Sequence, residues 1–254
     1  MLQLDLSGKT ALVTGATGQL GRVMALTLAR CGADIAIHYF ANETKANELR
    51  EHIQALGRRV MTVRADVGDS AAVHRMKEDV LKQLGHVDIV VANAVSQYAW
   101  KSVLEQPEAD YMDQFQSCVM QSVHLAKAFI PGMIERQHGR FIGINTECSM
   151  QNFPSQSAYV AGKRGMDGVY RILAKEVGLH NITVNQIAPG WTISERDREQ
   201  GTEWQEQHNS AIPLRRRGTD QEVANAVAFL ASDLASYITG VYLPVAGGNV
   251  MPAI

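Results

Sequence analysis

Tyr159 and Lys163, four residues apart, carry the clearest chemistry in this 254-residue sequence. On a helix that spacing puts both side chains on one face. A free phenol titrates near 10, too high for efficient proton transfer at neutral pH, and a neighbouring ammonium favours the phenolate and lowers that value. Such a pair can protonate a carbonyl oxygen as a hydride reaches its carbon, or take the proton from an alcohol in the reverse direction. Tyr and Lys recur at this spacing by chance, so the pair gains its meaning from the rest of the chain.

A second feature suits an anionic ligand. The stretch Thr14 to Gly21 reads TGATGQLG and directly follows the apolar run TALV. Glycines at Gly15, Gly18 and Gly21 permit a tight turn. They bring the backbone of Thr17, Gln19 and Leu20 to the start of a helix, where free N–H groups and the dipole favour a pyrophosphate. The spacing departs from the usual GxGxxG, and glycine turns also serve purely structural ends. Its place after the first strand of an alternating chain points to a dinucleotide. At the end of the second strand, where a ribose-binding Asp or Glu is usual, the chain has His38, Tyr39, Phe40, Ala41 and Asn42. Without a carboxylate nothing there repels a 2′-phosphate, so NADP is expected, NAD being the alternative and Tyr39 counted among the cofactor-binding positions. Arg22 is either a partner for that phosphate or an ordinary surface arginine.

The elements that must hold these residues follow from the apolar pattern. Strand-length runs at 9–15, 33–39, 59–66, 87–94, 139–146, 182–189 and 241–247 alternate with helical segments at 19–31, 43–56, 70–84, 110–136, 157–178 and 220–232. This pattern predicts an α/β fold, a Rossmann-type doubly wound seven-stranded parallel sheet with helices on both faces. No linker or repeat divides the chain, so residues 1–254 read as a single dinucleotide-binding domain. A polar stretch from Ser194 to Gly218 interrupts the alternation, and a substrate loop or lid is expected at about 191–218.

Composition removes other classes. With 24 Lys+Arg against 26 Asp+Glu there is no basic excess for nucleic acid, and a 46% hydrophobic share is ordinary for a globular chain. No apolar run is long enough to suggest a membrane span, and the MLQLDLSGK start does not read as a signal peptide. Three distant cysteines imply reduced thiols and a cytoplasmic location. The eight histidines show no paired ligand spacing, so no metal is expected.

Taken in order, TGATGQLG, Ala65-Asp66, VANA at 91–94, YVAGK at 159–163, VNQIAPG at 184–190, ITG at 238–240 and VAGG at 245–248 resemble the short-chain dehydrogenase/reductase family. The resemblance covers nearly the whole chain. It implies an NAD(P)-linked oxidoreductase acting on a small carbonyl or alcohol substrate, and a homotetramer. It implies Tyr159 as general acid/base, with Lys163 holding the nicotinamide ribose and lowering the tyrosine pKa. It further implies Asp66 and Val67 at the adenine, Asn93 and Ala94 lining the cofactor cleft, and Pro189, Gly190, Thr192 and Ser194 around the nicotinamide carboxamide.

Three positions depart from the family pattern. Thr146 stands where the substrate-orienting serine is usual; its hydroxyl can donate the same bond, with Ser149 as the fallback. Cys118 replaces an asparagine that anchors a relay water, which implies an altered proton relay. ANAV replaces NNAG after the fourth strand, which implies a different turn. Similarity to 3-oxoacyl-carrier-protein reductases is strong at PLRRRGT, yet the arginines that dock a carrier correspond to Gln137 and His180, with Arg136 displaced by one. A sugar, a polyol or another small ketone is therefore at least as plausible a substrate. Arg215 to Arg217 read as an anion clamp or, more simply, as a solvated or subunit-facing patch. Trp100, Trp191 and Trp204 fall in or beside expected loops flanking the cleft, which suits an aromatic-lined substrate pocket; Trp191 alone has a position that supports this, and Trp100 and Trp204 read alternatively as packing residues. The competing functional class is a catalytically weak NADP(H)-binding sensor or scaffold.

Overall fold

Val, Ile and Ala occupy both faces of the strand runs, so each run is stable only with cover on both sides. The computed structural model describes residues 4–252, and the first residues of the MLQLDLSGK start lie outside them. Its strands are β1 (Thr10–Val13), β2 (Asp34–Tyr39), β3 (Val60–Arg64), β4 (Ile89–Ala92), β5 (Gly139–Ile144), β6 (Ile182–Pro189) and β7 (Tyr242–Val245). All neighbouring strands pair in parallel, in the order β3-β2-β1-β4-β5-β6-β7. The expected α/β sheet is the one observed. Its order reverses between β1 and β4, which opens a crevice at the carboxyl ends of those strands, the usual ligand position in such sheets.

Alternation along each strand divides the core. Val13, Ile35, Ile89 and Ile142 face α1 (Gln19–Arg30), α2 (Glu43–Ala55) and α10 (Asp220–Ala231). Leu12, Val90, Phe141 and Val184 face α3 (Ser70–Leu84), α5 (Gln121–Glu135) and α7 (Ser157–Val177). Asp69 and Thr219 cap α3 and α10, their side chains accepting from the Ala71 and Glu222 amides.

The segment expected as one long helix at 110–136 has three parts: α4 (Glu108–Gln114), a π-helical turn at Phe115–Met120, and α5. Gly162 of α7 packs on the carbonyl of Gln114, where an added Cβ would lie 2.8 Å away. The π-turn absorbs one extra residue and places Cys118 at its centre, a type of distortion common near functional sites.

The segment 191–218, expected as a substrate loop, is structured. After the short α6 (Cys148–Gln151) earlier in the chain, it holds α8 (Glu195–Gln200) and α9 (Glu206–Ala211). Arg217 is its internal clamp, a correction to the reading of Arg215–Arg217 as a ligand clamp or solvated patch. The Arg217 guanidinium is fully buried, pairs with Asp197 at 2.8 Å, donates to the Thr192 carbonyl at 3.0 Å and stacks 4.2 Å over the Trp191 ring. These bonds, with Ser194, hold the Asp197 carboxyl well below the usual carboxylate range. Arg216 pairs with Glu222 instead, and Arg215 adopts a left-handed φ of 56°. Arg217→Met should loosen the loop while the sheet stays intact: KM for the carbonyl substrate rises, and limited proteolysis within 194–218 accelerates. An unchanged cleavage rate would show that the clamp does not hold the loop.

Candidate active site

The glycine loop is built by exclusion. A Cβ at Gly21 would lie 2.3 Å from the Gly15 carbonyl oxygen and 2.8 Å from the Ala16 Cα, so the helix start packs directly on the turn. Gly18 meets only the Gly15 oxygen at 3.4 Å, and its open side faces the crevice. Behind the loop, the buried His38 ring accepts from the Gly15 amide at 3.0 Å through Nδ1, and its Nε2 donates to the Ala65 carbonyl at 3.1 Å. The Thr14 hydroxyl donates to Gln121 Oε1 at 2.6 Å and accepts from the amides of Asn93 and Ala94 at 2.9 and 3.1 Å. Asn93 returns a bond from Nδ2 to the Thr14 carbonyl. Thr14, His38 and Gln121 thus fix the cleft floor, roles that only the packing of β1, β2, β4 and α5 reveals.

Burial pushes the His38 pKa down to about 4 from 6.5. Because the folded value lies below the unfolded one, the unfolded chain binds the extra proton between these limits. Stability should be complete above pH 6.5 and fall as pH drops toward 4, by about 3 kcal/mol in all. Chemical denaturation across that range measures the slope, and His38→Gln should flatten it. An unchanged slope in the variant would assign the dependence to other groups.

The cleft has a volume of about 990 Å³ and is lined by Gly15, Thr17, Gly18, Gln19, Leu20 and Gly21 on one side and by Asp66, Val67, Asn93 and Ala94 on the other. All ten are sequence-expected cofactor positions, and the structure brings them together. Tyr39 is not with them: it is buried in the core, and Phe40, Ala41 and Asn42 line the cleft in its place. The reason is strand alternation, which turns successive residues of β2 to opposite faces. Arg22 is paired with Glu195, and among the described residues the cleft lining carries no Lys or Arg.

A second pocket of about 520 Å³ joins the cleft through the shared residues Leu20, Asn93 and Val95 to Gln97. Thr146, Tyr159 and Lys163 line it, as do Pro189, Gly190 and Thr192 from the end of β6. Tyr159 and Lys163 share one face of α7. The Lys163 side chain is 3% exposed, and its Nζ donates to the Ile144 carbonyl at 2.6 Å and stands 5.7 Å from the Tyr159 ring centre. Asn145 ties the elements together: Nδ2 donates to the Lys163 carbonyl and to Gln186 Oε1, while Oδ1 accepts from the Thr146 amide, the Ser149 hydroxyl and the Tyr242 hydroxyl.

Tyr159 departs from expectation in its direction of titration. Burial pushes its pKa up, and the Thr146 side-chain hydrogen bond only partly opposes this. Lys163 is itself pushed below the usual lysine range by burial, with Cys118 acting the other way. The low-dielectric surroundings penalise both charged forms, and this outweighs the lowering expected from the ammonium. The phenol is therefore held protonated at neutral pH, the state required to donate to a carbonyl oxygen.

Ser149 is spent on Asn145, so the hydroxyl set beside Tyr159 is that of Thr146. Cys118 stands behind Lys163 rather than in the pocket, its thiol 3.9 Å from Gln114 Oε1. Ser194 caps α8 in a reciprocal box with Asp197 and lines neither cavity. Of the two readings for Trp100 the structure shows the pocket one: it lines the pocket with Trp191 and stacks on Tyr159 with ring centres 6.2 Å apart, whereas Trp204 is exposed and bonded to Glu206.

Sequence reasoning did not single out Tyr98, Glu147, Gln156 or His208, all on the pocket wall. The Tyr98 hydroxyl accepts from the Tyr159 amide at 2.7 Å. Glu147 could have been found as an acid directly after Thr146, whereas His208 is brought in only by the fold of the segment 191–218. Among the described residues, no cluster of three or more His, Cys, Asp or Glu could hold a metal ion, and no helix is long and apolar enough to cross a membrane.

A glycine-edged cleft at the strand reversal, opening into a pocket that holds a tyrosine, a threonine and a lysine, defines a nicotinamide dinucleotide-dependent oxidoreductase. A family model described as enoyl-(acyl carrier protein) reductase matches residues 15–249. The chain belongs to the short-chain dehydrogenase/reductase family. It is 36% identical over 245 residues to the 3-oxoacyl-[acyl-carrier-protein] reductase of Staphylococcus aureus, covering 96% of this chain and 98% of that protein. NAD+-bound xylitol dehydrogenase superposes with a TM-score of 0.89 at 29% identity, covering 95% of this chain and 99% of that one. The 7α-hydroxysteroid dehydrogenase complexed with NADH and 7-oxo glycochenodeoxycholic acid gives 0.88 at 29% identity, covering 98% and 97%.

Proposed function

We propose that this oxidoreductase reduces a small ketone, or oxidises the matching secondary alcohol, with NADP(H) preferred over NAD(H). The observation that carries the reading is the junction of cleft and pocket at Thr146, Tyr159 and Lys163. The glycine loop, with Gly18 open to the cleft, fits a pyrophosphate, and Asn93 and Ala94 fit the far wall. A dinucleotide bound there supplies the hydride in reduction and accepts it in oxidation. As a hydride adds to the carbonyl carbon, the C=O π pair moves to oxygen and the Tyr159 O–H gives it a proton. Thr146 donates a second hydrogen bond to that oxygen. Lys163, whose Nζ is held by the Ile144 carbonyl 5.7 Å from the Tyr159 ring centre, would bind the nicotinamide ribose.

The cofactor preference rests on the end of β2. His38 to Asn42 offer no carboxylate to a ribose, and Asn42, which caps the 13-residue α2 by accepting from the Lys45 amide, brings that helix start to the cleft. We further propose one domain with a substrate loop at 191–218, a homotetramer, and a cytoplasmic location that suits the free thiols of Cys31, Cys118 and Cys148. The substrate class lies between the acyl-carrier type of the Staphylococcus relative and the polyol type of the xylitol dehydrogenase. Gln137 and His180 are bonded to each other, and Arg136 to the Val87 carbonyl, which leaves little for an acidic carrier to grip.

Titration with NADPH and NADH, followed by a carbonyl panel read at the nicotinamide absorbance, tests the proposal. Tighter NADPH binding and turnover of at least one ketone are expected. Tighter NADH binding would overturn the preference, and tight binding with no turnover on any ketone would leave a binding protein.

A further inference from the structure

The pocket wall holds polar atoms that the protein itself does not satisfy. Gln156 is 7% exposed, yet its Oε1 has no hydrogen-bond partner. His208 Nε2 is likewise buried without a partner, and its ring is held edge-on against Trp191 with centres 4.7 Å apart. Burial and the neighbouring Arg217 keep this imidazole neutral, so Nε2 can donate or accept according to tautomer. Glu147, 4% exposed, has no cationic partner among the described residues. Each of its oxygens receives one bond, from the Trp191 amide at 3.1 Å and from Asn249 Nδ2 at 3.0 Å, which leaves lone pairs free beside Thr146.

Buried acceptors without donors are costly, and a ligand carrying donors removes the cost. An acyl chain brings no donor to Gln156 or Glu147. A ring or chain bearing several hydroxyls brings one to each, while its C–H faces can lie on the flanking indoles of Trp100 and Trp191. We propose that this pocket selects a polyhydroxylated ketone or alcohol, of sugar or cyclitol type, with Glu147, Gln156 and His208 as its hydroxyl-binding residues. The proposal rests on the reading that Thr146 and Tyr159 hold the reacting oxygen, and it names what holds the rest of the molecule.

A matched pair isolates the hydroxyls: 2-keto-myo-inositol and cyclohexanone share a six-membered ring ketone and differ in their hydroxyl groups. The wild-type enzyme should reduce the hydroxylated ketone with at least a hundredfold higher kcat/KM. That ratio should fall at least tenfold in Gln156→Leu and in Glu147→Gln, mainly through KM, with cyclohexanone turnover in each variant reporting on its fold. Binding of myo-inositol and of cyclohexanol to the dinucleotide-loaded protein, read by calorimetry, separates this proposal from the catalytic one. Inositol binding without turnover of either ketone keeps the hydroxyl sites and overturns the catalytic reading. Cyclohexanone or a 3-oxobutanoyl thioester reduced as well as the inositol ketone overturns the hydroxyl sites and keeps the catalysis. A stronger preference for 2-aminocyclohexanol would also overturn the proposal, because it would assign the lone Glu147 carboxylate to a cation.

Discussion

Tyr159→Phe is expected to lower kcat on the order of a thousandfold while dinucleotide affinity is unchanged. The phenylalanine ring keeps the stacking on Trp100, and the Tyr98 hydroxyl still accepts from the backbone amide at 159, so the start of α7 keeps its support. Lys163 likewise keeps its bond to the Ile144 carbonyl. Only the O–H that supplies the proton is lost, and the hydride would then create an alkoxide in a buried pocket with Thr146 alone to stabilise it. The raised phenol pKa adds a directional signature. Because the phenol titrates above its ordinary value near 10, reduction by the unaltered enzyme should stay level from neutral pH to about 10, whereas oxidation, which needs the phenolate, should climb over the same range. Stopped-flow and steady-state rates in both directions, with cofactor binding measured separately, check these points. Retained turnover in the variant would remove Tyr159 from the reaction.

Two alanine substitutions in the glycine loop should part company. Gly21→Ala places a methyl 2.3 Å from one backbone atom and 2.8 Å from another, neither at the end of a flexible side chain, so the turn or α1 must move. Overpacking of this kind costs about 1–3 kcal/mol of stability, and the displaced amides should also lose the dinucleotide. At Gly18 the backbone is extended, with φ at −76°, and the nearest atom to an added Cβ is 3.4 Å away. Gly18→Ala should therefore fold as stably as the unaltered chain, yet bind dinucleotide weakly, because its methyl enters the cleft. Thermal melts with and without cofactor distinguish the two. Equal melts for both variants, or cofactor binding retained by Gly18→Ala, would show that the dinucleotide does not lie against this turn.

Residues whose work is done by the local backbone were legible in the chain. The glycines are such a case, since their requirement comes from turn geometry that a spacing reveals. Tyr159 and Lys163 are another, because a helix converts four residues of separation into a shared face. Failures came where a side chain's fate depended on its direction. Tyr39 is one position away from residues that line the cleft, but the pleat turns it into the core. Ser194 has a suitable hydroxyl, but Asp197 lies three residues on and takes it as a helix cap. For Trp100 the chain leaves pocket and packing both open, because nothing in its own stretch announces that the fold brings it against Tyr159.

The order of apolar runs was enough to determine a seven-stranded parallel sheet, because burial on both faces leaves a strand few other partners. Motif order was enough to assign the oxidoreductase family, because the motifs recur in one fixed sequence along the alternating strands and helices of that sheet. Only the tertiary structure decided the direction in which Tyr159 titrates, since desolvation depends on everything packed around it. It also decided that Arg217 clamps the loop from inside, and that Glu147, Gln156 and His208 meet in one pocket. These three stand up to 61 residues apart in sequence, and no local rule relates them. Distance in space, burial and unpaired lone pairs belong to the folded chain alone.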